Sequence, residues 1–188
     1  MFEQLLSRLG RALDEAGLPY MLIGGQAVLL HGEPRATVDI DVTVGVDAGE
    51  LPRLLDVTRA LRLSVLPDPP EPFVAQTNVL PARDAATGIR VDFIFSFTPY
   101  EQQAIARAVR QRVGDYPVRF ATAEDLILHK LFAGRARDLE DVRGVLARQG
   151  ATVDGGYLRQ WAREFSVLEG KRDLAGQLDR LLAEFPPQ

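Results

Sequence analysis

The chain has 188 residues, an apolar fraction of 46%, a net charge of −4 and no cysteine. That length suits one domain, or one domain with a small appendage, and the lack of cysteine excludes a disulfide framework and thiolate chemistry. No apolar run approaches the roughly 20 residues needed to span a membrane. The first helix carries acids, unlike a signal peptide, so a soluble, cytoplasmic protein with no membrane partner is expected.

In chain order, Phe2, Leu5, Leu6, Leu9, Leu13 and Ala16 recur at helical spacing, and Gly17 stops that helix. Tyr20–Ile23 reads as a short buried strand. Gly24-Gly25 then turns the chain into a short helix over Gln26 to Leu30. A strand, a glycine turn and a helix start point backbone N–H groups outward, where they can hold an anion. Glycine lets a phosphate approach without a side chain in the way. After the loop His31-Gly32-Glu33-Pro34, the stretch Arg35 to Val46 holds a strand in which Val38, Ile40, Val42 and Val44 alternate inward. Asp39 and Asp41 therefore stand side by side on the other face. Two such carboxylates repel unless something positive sits between them. A hard cation that takes oxygen ligands, such as magnesium, supplies that charge.

Asp47-Ala48-Gly49 leads into a helix with Leu51, Leu54, Leu55 and Leu61 on one face. Leu66 to Pro72 contains PDPPEP and reads as an exposed loop. Asn78 to Phe97 reads as a hairpin turning at Thr87-Gly88. Its return strand sends Val91, Phe93, Phe95 and Phe97 one way and Asp92 the other. Pro99 opens a helix to about Arg112, and Val118–Phe120 is a short extended piece. From Thr122 onward only helices are expected. The first is capped by Thr122, with Asp125 at the third position, and Gly134 breaks it after Ala133. The next begins near Asp138, and two more cover Tyr157–Phe165 and Arg172–Phe185. The pattern divides the chain near residue 120.

Gly24-Gly25, Asp39 with Asp41, Asp92 and Lys130 make one constellation. Three carboxylates on neighbouring strands can hold two divalent ions about 3.5–4 Å apart. One ion would grip the phosphates of a nucleotide. The other would lower the pKa of a hydroxyl that attacks the α-phosphate in line and expels pyrophosphate. Residues 1–100 hold 8 Lys/Arg against 13 Asp/Glu, and residues 101–148 hold 9 against 7. That imbalance suits metal and phosphate chemistry, and random surface variation equally well.

GGQA (24–27), RATVDID (35–41), a later strand with Asp92, and KLFAGRARDLEDV (130–142) follow one another in this order. Together they resemble the DNA polymerase β-like nucleotidyltransferases, and within them the small bacterial branch of minimal nucleotidyltransferases and AbiEii/MenT-like toxins. The resemblance covers roughly residues 18–148. It implies an α/β (α+β) nucleotidyltransferase fold, with a small mixed sheet flanked by helices and followed by a C-terminal helical bundle. Residues 1–120 would be the catalytic domain. Residues 121–188 would be a helical region packed on it and contributing to the nucleotide site. Asp39, Asp41 and Asp92 would ligate two Mg²⁺ ions, with Mn²⁺ as the alternative, and Asp92 is the candidate base. Gly24, Gly25, Arg35, Thr37, Lys130 and Asp138 would bind the nucleotide. Many superfamily members have Gly-Ser where this chain has Gly24-Gly25, so phosphate would rest on backbone N–H groups alone. The implied enzyme, of EC 2.7.7 type, moves a nucleoside monophosphate from an NTP to a hydroxyl of a tRNA or a protein. The branch adds a toxin–antitoxin setting, with a cognate antitoxin as partner.

Each residue also has a plainer use. Asp39 and Asp41 can be the polar face of an edge strand, and Asp92 a carboxylate paired with Arg35 or Arg90. Gly24-Gly25 can be a tight turn, Lys130 a solvated head on an apolar stem, and Asp138 a helix N-cap. Arg35, Arg135 and Arg137 read singly as surface charges. His31 and His129 read as structural, and Trp161 as core or interface. The competing functions are a non-catalytic nucleotide- or partner-binding module, an aminoglycoside-type small-molecule nucleotidyltransferase, and a phosphohydrolase using the same carboxylates.

Overall fold

Leu5, Leu6, Leu9 and Leu13 are buried along one side of α1 (Phe2–Glu15), and Gly17, at φ 64°, takes the left-handed turn that ends it. The computed structural model describes residues 2–168 and 173–185. The chain divides into two units, Met1–Gly25 with Thr37–Phe120, and Gln26–Ala36 with Ala121–Gln188.

The first unit is a mixed sheet flanked by helices. Its strands are β1 (Tyr20–Ile23), β2 (Asp39–Val44), β3 (Leu63–Val65), β4 (Val79–Asp84), β5 (Arg90–Phe95), β6 (Val109–Val113) and β7 (Tyr116–Phe120). They lie in the order β3-β4-β5-β2-β1-β7-β6. The β2–β5 and β1–β7 pairs are parallel and the others antiparallel. The four residues of β1 are all buried, as befits a strand near the middle of the sheet. β2 has neighbours on both sides, so Asp39 and Asp41 do not lie on an edge strand. The chain leaves β1 through α2 (Gly24–His31). The unit's other helices are α3 (Leu51–Leu61), α4 (Pro70–Thr77) and α5 (Pro99–Arg107).

Four local expectations fail, each for a visible reason. The proline-rich stretch is a loop only to Pro69. Pro70 and Pro72 sit in the first turn of α4, where proline's missing N–H costs nothing. The helix after Pro99 stops at Arg107, because Val-Arg-Gln-Arg-Val over 109–113 pairs with β7 around a two-residue turn at Gly114, φ 60°. Val38 precedes β2 and is 77% exposed, so the inward alternation begins at Ile40. Phe97 lies beyond β5 and is 61% exposed.

The second unit comprises the rest of α2 with α6 (Ala123–Ala133), α7 (Ala136–Gln149), α8 (Gly155–Ser166) and α9 (Leu174–Glu184). Thr122 caps α6 as expected, its hydroxyl accepting from the Asp125 N–H at 3.1 Å. Gly134, at φ 68°, closes the same helix. The last helix is described from Leu174, so Arg172 lies outside the described residues. Among the described residues no helix is long and apolar enough to cross a membrane.

His129 on α6 has its pKa lowered from 6.5 to about 4. Burial is the main cause. The charge of Asp125 opposes it and that of Lys130 adds to it. Between those two values the unfolded chain binds a proton that the folded chain does not, so stability rises with pH across the window. Lowering the pH from 6.5 to 4 should therefore cost on the order of 1–3 kcal/mol. A His129→Gln variant should flatten that part of a plot of Tm against pH.

Candidate active site

β2 and β5 run side by side with Asp39 opposite Arg90 and Asp41 opposite Asp92. Paired residues of neighbouring strands project to the same face, so these four side chains and Thr43 share one side of the sheet. The Thr37 hydroxyl donates to Asp39 Oδ1 at 3.2 Å. Arg90 Nε donates to both carboxylate oxygens of Asp92, at 2.8 and 3.0 Å. Of the two arginines that sequence offered as partners for Asp92, the structure selects Arg90. The hydrogen bond to Asp92 raises the Arg90 pKa, burial opposes the rise, and the charges of Asp92, Asp39 and Asp41 add to it.

Gly24 and Gly25 serve these side chains directly. Gly24 has φ 61°, and a Cβ there would stand 1.9 Å from Asp41 Oδ2. A Cβ on Gly25 would stand 2.3 Å from Thr37 Oγ1. α2 begins at Gly24, so the N–H groups of its first turn have no partner within the helix and are available to an anion.

Two observations bear on whether a divalent metal fits this face. Oxygen donors at adjacent register positions suit a hard cation. The Thr43 hydroxyl is also buried on this face with no hydrogen-bond partner, an orphan that a bound water would satisfy. Among the described residues, however, no three His, Cys, Asp or Glu side chains converge on one point, and Asp92 is turned to Arg90. The carboxylate oxygens match the donor chemistry of Mg²⁺, and Asp92 is bound to that arginine.

The other expected site residues belong to the second unit. Lys130 is a buried ion-pair centre rather than a solvated head. Its Nζ lies 2.9 Å from Asp138 Oδ1 and 2.8 Å from Asp141 Oδ2, with 8% of the side chain exposed. Arg135 Nε donates to Asp138 Oδ2 at 2.6 Å, and the Arg135 backbone N–H donates to the same oxygen at 3.3 Å. Asp138 thus caps α7 from its third position, not as the N-cap. Arg35 grips Asp141 with Nε at 2.8 Å and a terminal nitrogen at 3.0 Å, a two-pronged pair. Burial pushes both carboxyls up. Hydrogen bonds outweigh it, from Arg135 and Lys130 on Asp138 and from Arg35 and Lys130 on Asp141, and hold both below the ordinary carboxylate range. Asp141 received no role from sequence, although it lies one helical turn after Asp138 on the same face. His31 is structural, with Nε2 at 2.8 Å from the Ala121 carbonyl and Nδ1 at 3.1 Å from Gln149. Trp161 packs on Phe165 with ring centroids 6.0 Å apart.

A family model described as nucleotidyl transferase AbiEii toxin, Type IV TA system, matches residues 4–184. No curated protein matches the sequence. Among the solved structures that are similar over nearly the whole chain are these three. One is an antigenic nucleotidyltransferase-like protein from Paracoccidioides brasiliensis, 17% identical with a TM-score of 0.59, covering 99% of this chain and 94% of that one. A second is ANT(2″)-Ia in complex with adenylyl-2″-tobramycin, 18% identical with a TM-score of 0.57, covering 97% and 95%. The third is the solution structure of the antibiotic-resistance factor ANT(2″)-Ia, 16% identical with a TM-score of 0.58, covering 97% and 93%. At such identities the likeness shows the fold.

Three substitutions check this geometry. Gly24→Ala must strain φ and push Asp41 aside, and should cost about 1–3 kcal/mol. Gly25→Ala meets Thr37 at Oγ1 and Cβ, 2.3 and 2.8 Å away, but has no positive φ to strain, and should cost less; denaturant melts of the two variants rank them. Lys130→Met leaves two buried carboxylates short of a cation and should cost about 3 kcal/mol. A melt within 1 kcal/mol of the unmodified protein would contradict the buried network.

Proposed function

Since the chain belongs to the AbiEii nucleotidyl transferase toxin family and is a nucleotidyltransferase, we propose that it transfers a nucleoside monophosphate from an NTP to a hydroxyl of a tRNA. The observation that carries the chemistry is the single sheet face holding Asp39, Asp41 and Asp92 beside the glycine-started helix. Two Mg²⁺ ions, or Mn²⁺ in their place, would supply the charge that neutralises the triphosphate and acidifies the attacking hydroxyl. Asp39, Asp41 and Asp92 would hold them.

The chain's own groups account for the remaining steps. The first-turn N–H groups after Gly24 and Gly25 hold the outer phosphates. Thr37 fixes the rotamer of Asp39 through its hydroxyl. The acceptor oxygen forms a bond to the α-phosphorus, the bond from that phosphorus to the bridging oxygen breaks, and pyrophosphate leaves with the electron pair. Asp92 takes the hydroxyl proton. Arg35, Lys130 and Asp138 are assigned to the nucleotide on the strength of the family motif. Lys130 has three N–H donors and places two of them on carboxylates, which leaves one for a phosphate. A cognate antitoxin is the partner that the family description suggests, and the cytoplasm, where NTP and RNA substrates are available, is the compartment assigned to the reaction.

The test uses purified protein, Mg²⁺, each α-³²P-labelled NTP in turn and a cell extract. Label should appear on an RNA band, and Asp39→Asn with Asp41→Asn should cut it by about 10³-fold or more while the fold, followed by circular dichroism, is kept. Equal labelling by the variant would overturn the carboxylate assignment. Label on a protein or a small molecule would move the acceptor class. Free monophosphate without a labelled acceptor would make the protein a phosphohydrolase. No turnover with retained nucleotide binding would make it a binding module.

A further inference from the structure

We propose that Arg90 is a built-in competitor for the metal site: its guanidinium binds Asp92 and must release it before Asp92 can join Asp39 and Asp41. The inference rests on the metal-site reading given above, and assigns Arg90 a positioning role toward that site.

The register makes Arg90 the cross-strand neighbour of Asp39 and places it two residues before Asp92 on the same face. It therefore stands among all three carboxylates. It engages both oxygens of Asp92 through one nitrogen, so the carboxylate is turned toward the guanidinium. A parallel pairing brings Asp41 and Asp92 to directly opposite positions. Even so, among the described residues no three ligating side chains converge. Asp92 instead meets Arg90.

The pair is also built to open. Arg90 is 47% exposed and Asp92 18%, so the guanidinium can swing into water at little cost, and a pair this exposed is weak. The other arginine near these motifs, Arg35, contrasts with it: both its prongs are committed to Asp141, whose side chain is 5% exposed. Metal binding at the sheet is thus an exchange of one cation for another. Removing the resident cation should make the site bind metal more tightly, both by freeing Asp92 and by removing a positive charge.

The experiment titrates Mn²⁺ into the full-length protein without nucleotide, followed by electron paramagnetic resonance and calorimetry. Four proteins are compared: unmodified, Arg90→Gln, Asp92→Asn and the double variant. Arg90→Gln should bind Mn²⁺ roughly three- to tenfold more tightly. In the Asp92→Asn background the same change should matter less than about twofold, because there is no pair left to break. Equal or weaker Mn²⁺ affinity in Arg90→Gln overturns the role of Arg90 and leaves the metal site standing. A gain of the same size in the Asp92→Asn background also overturns it, since the effect would then be long-range charge alone. Failure of all four proteins to bind Mn²⁺ at millimolar concentration overturns the metal-site reading itself. If Arg90→Gln does not fold, Arg90→Lys serves. It keeps the charge but lacks the nitrogen that meets Asp92, and should show a smaller gain of the same sign.

Discussion

Like-charge repulsion on one face of the sheet is the constraint from which the site follows. Parallel pairing of β2 with β5 leaves Asp39, Asp41 and Asp92 no choice of side. Three carboxylates at neighbouring positions of a sheet raise the energy of the fold unless a cation stands among them. The chain provides one from the same strand, since Arg90 is the residue that alternation puts on that face next to Asp92. The folded state is therefore tenable without an ion, and the face keeps a net negative charge.

The glycine pair follows from the same register. Ile23 pairs with Asp41 across β1 and β2, so the residue after Ile23 must leave the strand directly beside the Asp41 side chain. A Cβ there would occupy the place of the carboxylate oxygen, and the exit needs a positive φ. Gly24 meets both demands, and no other residue does without strain. Its first service is to place Asp41. The opening of a helix whose N–H groups can face a phosphate comes with the same turn. Thr37 plays the matching part for Gly25, filling the space that a side chain would take and steadying Asp39.

What sequence disclosed was local. The alternation from Ile40 to Val44, the glycine turn after Ile23, the hairpin at Thr87-Gly88 and the Thr122 cap all depend on residues within a few positions of one another. The elements that escaped sit where two local signals compete. Val109–Val113 follows a helix without a breaker, so its alternation was absorbed into α5. Prolines 70 and 72 read as loop because proline marks loops and helix first turns alike. Val38 and Phe97 fit the alternation but lie one and two residues beyond their strands, where no neighbour covers them. For the candidate site, the carboxylates and glycines were legible from spacing, while their partners were not. Sequence named two arginines for Asp92, and only the β2–β5 register separates them. The surroundings of Lys130 were hidden because Arg35 and Asp141, which complete its network, are 106 positions apart.

The two units meet the same electrostatic demand in opposite ways, and the contrast separates stabilising pairs from exchangeable ones. In the helical unit Asp138 and Asp141 are nearly sealed from solvent, each shared between Lys130 and an arginine. Dissolving such a network leaves buried charges without partners, so its members are expensive to separate from one another. On the sheet, the cation is half in water and bound to one carboxylate through one nitrogen. Loss of that contact returns the guanidinium to solvent and leaves Asp92 near enough to the surface to be solvated or ligated. Asp92, held by the weaker kind of pair, can exchange its partner; Asp141, held by the stronger kind, is suited to keeping Arg35 and Lys130 where the fold has set them.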